Sequence, residues 1–188
     1  MTRPAPAVND AYPRRGGTVY LNLVWHQHQP LYLDPARDQL QGPWVRTHAT
    51  NDYYDMAATV GRYPDVHCSI NLTSSLLHQL EEYYLKRLKP FVDLKKNHVD
   101  AKQYFAKYGG TTDPWIDLAL KHTKDFTARD LQFLLTNVWN AFGVSGVILN
   151  RFPEYKSLQE RFKALGARGL SEQEMREIKF WFYLAYFD

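Results

Sequence analysis

An α/β fold with a parallel sheet, continued by a helical region, is what this chain predicts, and three observations carry the prediction. Two short runs, "TVYLNLVW" at 18–25 and "DVHCSINL" at 65–72, are rich in β-branched and aromatic residues, the composition of strands. Each run is followed by a stretch in which apolar residues recur at helical spacing. The order strand, helix, strand, helix is the one that joins parallel neighbours. After Leu72 every remaining apolar pattern is better explained by helix than by strand.

The elements follow in chain order. Residues 1–17 are rich in Pro, Ala, Arg and Gly without periodicity and read as a disordered tail. The run 18–25 is almost continuously apolar, as expected of a strand covered on both faces. Tyr53, Met56, Ala57 and Val60 form a first helical stripe that ends at Gly61 and Pro64. In the second strand Val66, Cys68 and Ile70 alternate with His67, Ser69 and Asn71. The chain then enters a strong helix, with Leu76, Leu77, Leu80, Tyr83, Tyr84 and Leu88 on one face as far as Pro90. Residues 91–127, with "YGGTTDPW" in the middle, read as an irregular excursion. Thr127 and Asp130 resemble a capping box for a helix carrying Leu131, Leu134, Leu135, Val138, Trp139 and Phe142 up to Gly143. Ser171 and Glu174 repeat the device for a last helix through Ile178, Trp181, Phe182 and Ala185. That helix runs to the final residue, and Trp181, Phe182, Tyr183, Tyr186 and Phe187 are expected to lie uncovered, as if the chain were cut.

Composition excludes several classes of function. At 188 residues and 45% hydrophobic the chain can bury one sizeable core and is too short for two complete domains. Its 23 basic and 20 acidic residues are scattered, so the net charge of +3 provides no concentrated face for nucleic acid. Cys68 is the single cysteine, which rules out an internal disulfide and any cysteine-based zinc site. No run has the length of a membrane span and the N-terminus carries no apolar signal core, so a cytoplasmic protein with no membrane partner is expected.

The candidate site is "VWHQHQPLY", where His26 and His28 stand two apart at the end of the first strand. Residues two apart on a strand share a face, and the carboxyl ends of parallel strands are where α/β folds bind ligands. Three readings compete. Both imidazoles are structural, or they ligate a metal, or they form a sugar-binding wall beside an aromatic ring from Trp25, Trp44 or Tyr32. Further spaced ligands are lacking, because His48, His67, His78, His98 and His122 are scattered, and no metal or other cofactor is expected.

The sequence from "VWHQHQPLY" through "GPWVRTHATNDYYDMAATVGRYPDVHCSINLTSSLLHQLEEY", "TDPWIDLALK", "LQFLLTNVW" and "FWFYLAYFD" resembles the N-terminal catalytic region of glycoside hydrolase family 57, whose members act on α-glucans. The family's His-Gln-Pro signature is matched by His28, Gln29 and Pro30. Where many relatives carry Val-Pro in the second motif, this chain has Thr73 and Ser74, which suit a helix N-cap. The resemblance implies that 18–188 is the N-terminal portion of an incomplete parallel (β/α)7 barrel with a following helical region. It implies a retaining hydrolase or glucanotransferase, whose two carboxyl groups stand roughly 5 Å apart. Nothing in the chain matches the family's Glu and Asp motifs, so no catalytic residue is assigned and the pair is expected beyond Asp188. His26, His28, Gln29, Trp25 and Asn71 are the expected substrate contacts with an α-glucan. The fragment alone is expected to be inactive. The rivals are a metal-dependent hydrolase or deacetylase using His26 and His28, and a non-catalytic carbohydrate-binding module.

Local acid pairs have simpler explanations. Asp52 and Asp55 suit a helix N-terminus and Glu81 and Glu82 its polar face, while Asp34 and Asp38 fall in the loop after the histidines. Asp52, Tyr53 and Tyr54 read as helix anchors, and Trp44, Arg46 and His48 stay open between anchoring and substrate contact.

Overall fold

The computed structural model describes Gly17 and residues 20–185. The tail expected at 1–17 falls, except for Gly17, outside the described residues, and so do Thr18, Val19, Tyr186 and Phe187.

The two strands form and pair in parallel as the sequence predicts, but they are shorter. β1 is Val24–Gln27 and β4 is Ser69–Leu72, in the register Val24↔Ser69, Trp25↔Ile70, His26↔Asn71 and Gln27↔Leu72. The expected burial on both faces is not found: Val24 is 57% exposed, Ile70 44% and Leu72 47%. Among the described residues this sheet has only these two strands, so each has a neighbour on one side and the apolar alternation has nothing to cover its outer face. Mixed α/β content and a parallel pair are present, and the described residues close no barrel.

Two antiparallel hairpins were not legible in the sequence. β2 (Leu33–Asp34) pairs with β3 (Gln39–Leu40), and β5 (Val92–Asp93) with β6 (His98–Val99). Their turns are alike. Asp34 accepts from the backbone of Ala36, Asp93 accepts from Lys95 and Lys96, and Asp38 and Asn97 close each turn at positive φ. Asp and Asn tolerate that conformation better than other residues with a side chain.

The helix between the parallel strands starts earlier than predicted, at Trp44. α1 (Trp44–His48) passes through a π-helical stretch (Ala49–Tyr53) into α2 (Tyr54–Val60). α3 (Ser74–Gln79) continues as a π-helical stretch (Leu80–Lys86) that buries Tyr83 and Tyr84 together, while Leu77 of the predicted stripe is 45% exposed. Thr73 occupies the N-cap position with φ −75° and ψ 147°, yet it makes no capping bond; its hydroxyl meets that of Ser75 at 3.3 Å. Residues 91–127 are not irregular. They hold the second hairpin, α4 (Ala101–Tyr108), capped by Asp100, and α5 (Pro114–Leu120), capped by Asp113 with Pro114 in its first turn.

α6 (Ala128–Leu135) starts at the predicted capping box of Thr127 and Asp130 but stops well before Gly143. Asn137 and Asn140 bond neighbouring backbone groups, Asn137 through Val138 N and Asn140 through Phe142 N and Asn137 O, and these local bonds displace the helical ladder. α7 (Gly146–Arg151), α8 (Pro153–Leu165) and α9 (Glu172–Ala185) complete the helical region. The Ser171–Glu174 box forms, with Ser171 N donating to Glu174 at 2.8 Å and Glu174 N to Ser171 Oγ at 3.2 Å. The expected exposure of the last aromatic helix is corrected within α9. Phe182 is 2% exposed, Trp181 lies against Phe152 and Tyr155, and the Tyr183 hydroxyl donates to Trp115 O at 2.5 Å. No helix among the described residues is long and apolar enough to cross a membrane.

The interior has two principal clusters that meet at α5. Trp115 and Leu118, three apart on one face, join Leu134, Leu158, Ile178 and Phe182. Ile116, on the other face, joins Leu40, Val45, Leu76, Tyr83 and Tyr104. A seven-residue helix thus links the helical region to the sheet-bearing half.

Arg87 is buried beneath the first hairpin and is held by both Asp38 carboxylate oxygens, at 3.0 and 3.1 Å, and by Asp38 O and Thr111 O. The Arg87 guanidinium holds the Asp38 carboxyl below its ordinary value, and Lys86 does the same for Glu82. Tyr83, which donates to Asp38 at 2.9 Å, is pushed up to about 12, first by burial and then by that carboxylate. Acids lowered in the folded state stabilise it above their unfolded pKa of about 4 and lose that contribution as pH falls further. Asp117, pushed up by burial, runs in the opposite sense. Urea midpoints measured across acid pH should therefore decline below about pH 4, and Asp38→Asn should flatten the decline. An identical acid slope in the variant would show that this pair does not govern it.

Candidate functional site

The parallel register builds the face that carries His26. Paired residues of parallel neighbours point to the same side, so Asn71, opposite His26, shares its face, and both are exposed. His28, one step beyond the strand, keeps the alternation: its ring lies parallel to that of His26, with centroids 5.7 Å apart and 10° between planes. Both imidazoles are exposed. His26, His28 and Asn71 are therefore brought together.

Trp25 and Gln29 are not placed with them. Alternation sends Trp25 and Gln27 to the opposite face, where Gln27 is buried against Met56 and Trp25 is half-buried. Gln29 is 7% exposed, with its amide engaged inside the protein. Its Nε2 donates to the Tyr53 hydroxyl at 2.9 Å, and its Oε1 accepts from the Tyr32 hydroxyl at 2.9 Å. Burial, followed by the nearby Tyr53, raises the Tyr32 pKa, which keeps that phenol a donor.

The loop after the histidines is clamped from two helices. Tyr53 donates to His28 O at 3.2 Å and Ser75 to Gln29 O at 2.6 Å. Gln79, fully buried, donates to Pro30 O at 2.8 Å and accepts from Tyr32 N at 2.9 Å. Four hydrogen bonds from three side chains thus fix residues 28–32 without using either imidazole. Gln79 and Ser75 were missed in the sequence because each looks like an ordinary polar position beside an apolar stripe.

The residues left open in "PWVRTH" each have a partner within the protein. Arg46 Nε stands 3.7 Å from the buried carboxylate of Asp113, and His48 pairs with Asp52 one turn on. Tyr53 anchors its helix, whereas Tyr54 is 68% exposed. Trp44 packs on Tyr32, with centroids 4.9 Å apart. It also lines a cleft of about 1300 Å³ that includes neither histidine of the pair. Among the described residues no three His, Cys, Asp or Glu side chains come together as a metal-binding set.

Two parallel imidazoles and a carboxamide thus share the exposed face of a parallel strand pair. The family model of glycosyl hydrolase family 57 matches residues 22–180, and the chain belongs to that family. The match takes in both strands, the histidine loop and all of the helical region up to Phe180. Neither a curated protein nor a solved structure matches the chain.

Proposed function

We propose that residues 18–188 form the N-terminal part of a retaining α-glucan hydrolase or glucanotransferase, with β1 and β4 as neighbouring strands of an incomplete (β/α)7 barrel. His26, His28 and Asn71 bind a glucosyl unit of the substrate. The observation that carries this reading is the parallel, exposed pair of imidazoles beside Asn71, in a chain of this family. Ring nitrogens and a carboxamide are suited to the alternating donors and acceptors of sugar hydroxyls, and a rigid wall holds the ring with little entropy left to lose. Gln29, by its burial, serves as a positioning residue that keeps Tyr53 and Tyr32 against the loop. Trp25, on the other face, acts through packing.

The reacting carboxylates, an attacking group and a proton donor, are not assigned to this chain. Asp52 is paired with His48, Asp113 with Arg46, and Asp38 with Arg87, so each has a structural partner. Binding is the property that these residues supply by themselves.

Calorimetric titration with maltose tests the reading. The paired variant His26→Ala with His28→Ala should bind about tenfold more weakly, the loss expected when two polar contacts are removed. Its thermal stability should be unchanged, because both side chains are exposed. A maltose isotherm unchanged in both affinity and stoichiometry would overturn the assignment.

A further inference from the structure

We infer that the cleft lined by Trp44, Trp115, Phe133 and Trp139 is a second sugar site, which holds the chain of a neutral oligosaccharide apart from the histidine face. That the chain is an α-glucan rests on the function proposed above; that it is a neutral, ring-built polymer rests on the cleft itself.

The first argument is the aromatic row. From Tyr32 the ring centroids run to Trp44 at 4.9 Å, to Trp139 at 6.1 Å, to Trp115 at 5.4 Å and to Phe133 at 4.5 Å. These rings come from the loop after His28, α1, α5, α6 and the segment after α6, so the row exists only in the folded chain. Trp115, 5% exposed, backs the row from the core, while the partly exposed Trp44, Phe133 and Trp139 offer the aromatic surface suited to the apolar C–H faces of pyranose rings. Trp139 lies in the segment after α6, which stops at Leu135.

The second argument is charge. The cleft is lined by as many aspartates as lysines and arginines, and several of these neutralise one another. Asp34 pairs with Arg37 at 3.7 Å, and Asp130 with Lys121 at 2.6 Å. Asp117 accepts from the Tyr104 hydroxyl at 2.9 Å and from Gly110 N at 2.8 Å. An anionic or cationic ligand therefore meets no excess of opposite charge, and a wholly apolar one would strand these groups. Gln39, Gln41 and Asn137 add amides that can both donate to and accept from hydroxyls. A polyhydroxylated ring satisfies both surfaces.

The third argument is size. A volume near 1300 Å³ exceeds the range of about 300–1000 Å³ usual for a single small molecule. Several linked rings fill it, so affinity should rise with chain length, unlike at the histidine face. Gly42 supports the purpose of Trp44. The indole lies so close over Gly42 that an added Cβ would overlap its six-membered ring, and Gly42→Ala must displace it from the row.

Tryptophan fluorescence during titration with maltose, maltotriose and maltoheptaose tests the site in the intact chain. Saturable quenching should strengthen with length. It should weaken about tenfold in Trp139→Ala and shift in the same direction in Gly42→Ala. It should persist in high salt and in the paired His26→Ala, His28→Ala variant. In the wild-type protein the His122 imidazole, which lines the cleft, should shift in an NMR titration with maltoheptaose, a reading independent of whether the variants fold. Quenching by a β-linked oligosaccharide alone, lost in Trp139→Ala, would uphold the cleft and contradict the α-glucan reading. Quenching lost in the histidine variant but kept in Trp139→Ala, or abolished by salt, would overturn the cleft as a neutral sugar site. So would the absence of quenching by any oligosaccharide with His122 unmoved.

Discussion

Asp113→Ala is expected to destabilise the protein by about 3–5 kcal/mol, the range for breaking a buried charged pair from one side. Asp113 is fully buried and has three tasks. Its Oδ1 accepts from Ile116 N at 2.8 Å and starts α5. Its Oδ2 accepts from the Tyr84 hydroxyl at 2.8 Å and lies 3.7 Å from Arg46 Nε. Removing it costs a helix cap, leaves a buried phenol without its acceptor and takes the carboxylate from an arginine whose side chain is only 12% exposed. The damage should spread, because α5 holds Trp115 and Leu118 in one cluster and Ile116 in the other. Urea unfolding followed by near-ultraviolet circular dichroism measures it. Asp113→Asn, which keeps the shape and loses the charge, should fall between the variant and the wild type. A loss below about 1 kcal/mol in Asp113→Ala would show that the two clusters hold together without this carboxylate.

Gln79→Ala should cost about 2–4 kcal/mol, through a cavity and through the two loop groups it leaves unpaired, Pro30 O and Tyr32 N. Its functional effect should be specific. His26 remains fixed by the strand register, whereas the loop after His28 loses its deepest clamp. Maltose affinity should therefore fall even at temperatures where the variant is fully folded. Gln79→Glu retains the acceptor for Tyr32 N and lacks the donor to Pro30 O, so it should sit between the two. Destabilisation with maltose affinity intact would mean that the clamp serves the fold alone.

What the sequence made legible was local. Both capping boxes, Thr127 with Asp130 and Ser171 with Glu174, could be read because their partners lie three residues apart. The common face of His26 and His28 follows from the period of a strand. The two hairpins leave no mark in the sequence because strands of two residues show no alternation. The strands are more exposed than the sequence predicts because an apolar run does not say how many neighbours will cover it, and among the described residues β1 has one. α6 is shorter than the apolar stripe through Val138 and Phe142 predicts, because the asparagines end it, and Val138 is 99% exposed. Gln79 and Pro30 are 49 residues apart, and the aromatic row joins residues from Tyr32 to Trp139. No local pattern carries contacts of that range.

The central claim is that the two imidazoles on the parallel strand pair hold a glucosyl unit. Site-resolved NMR of the histidine side-chain nitrogens during titration of the intact chain with maltose tests it most directly. The account predicts that the resonances of His26 and His28 move together and saturate along one binding curve. Binding of maltose at saturation with both resonances unmoved would contradict it.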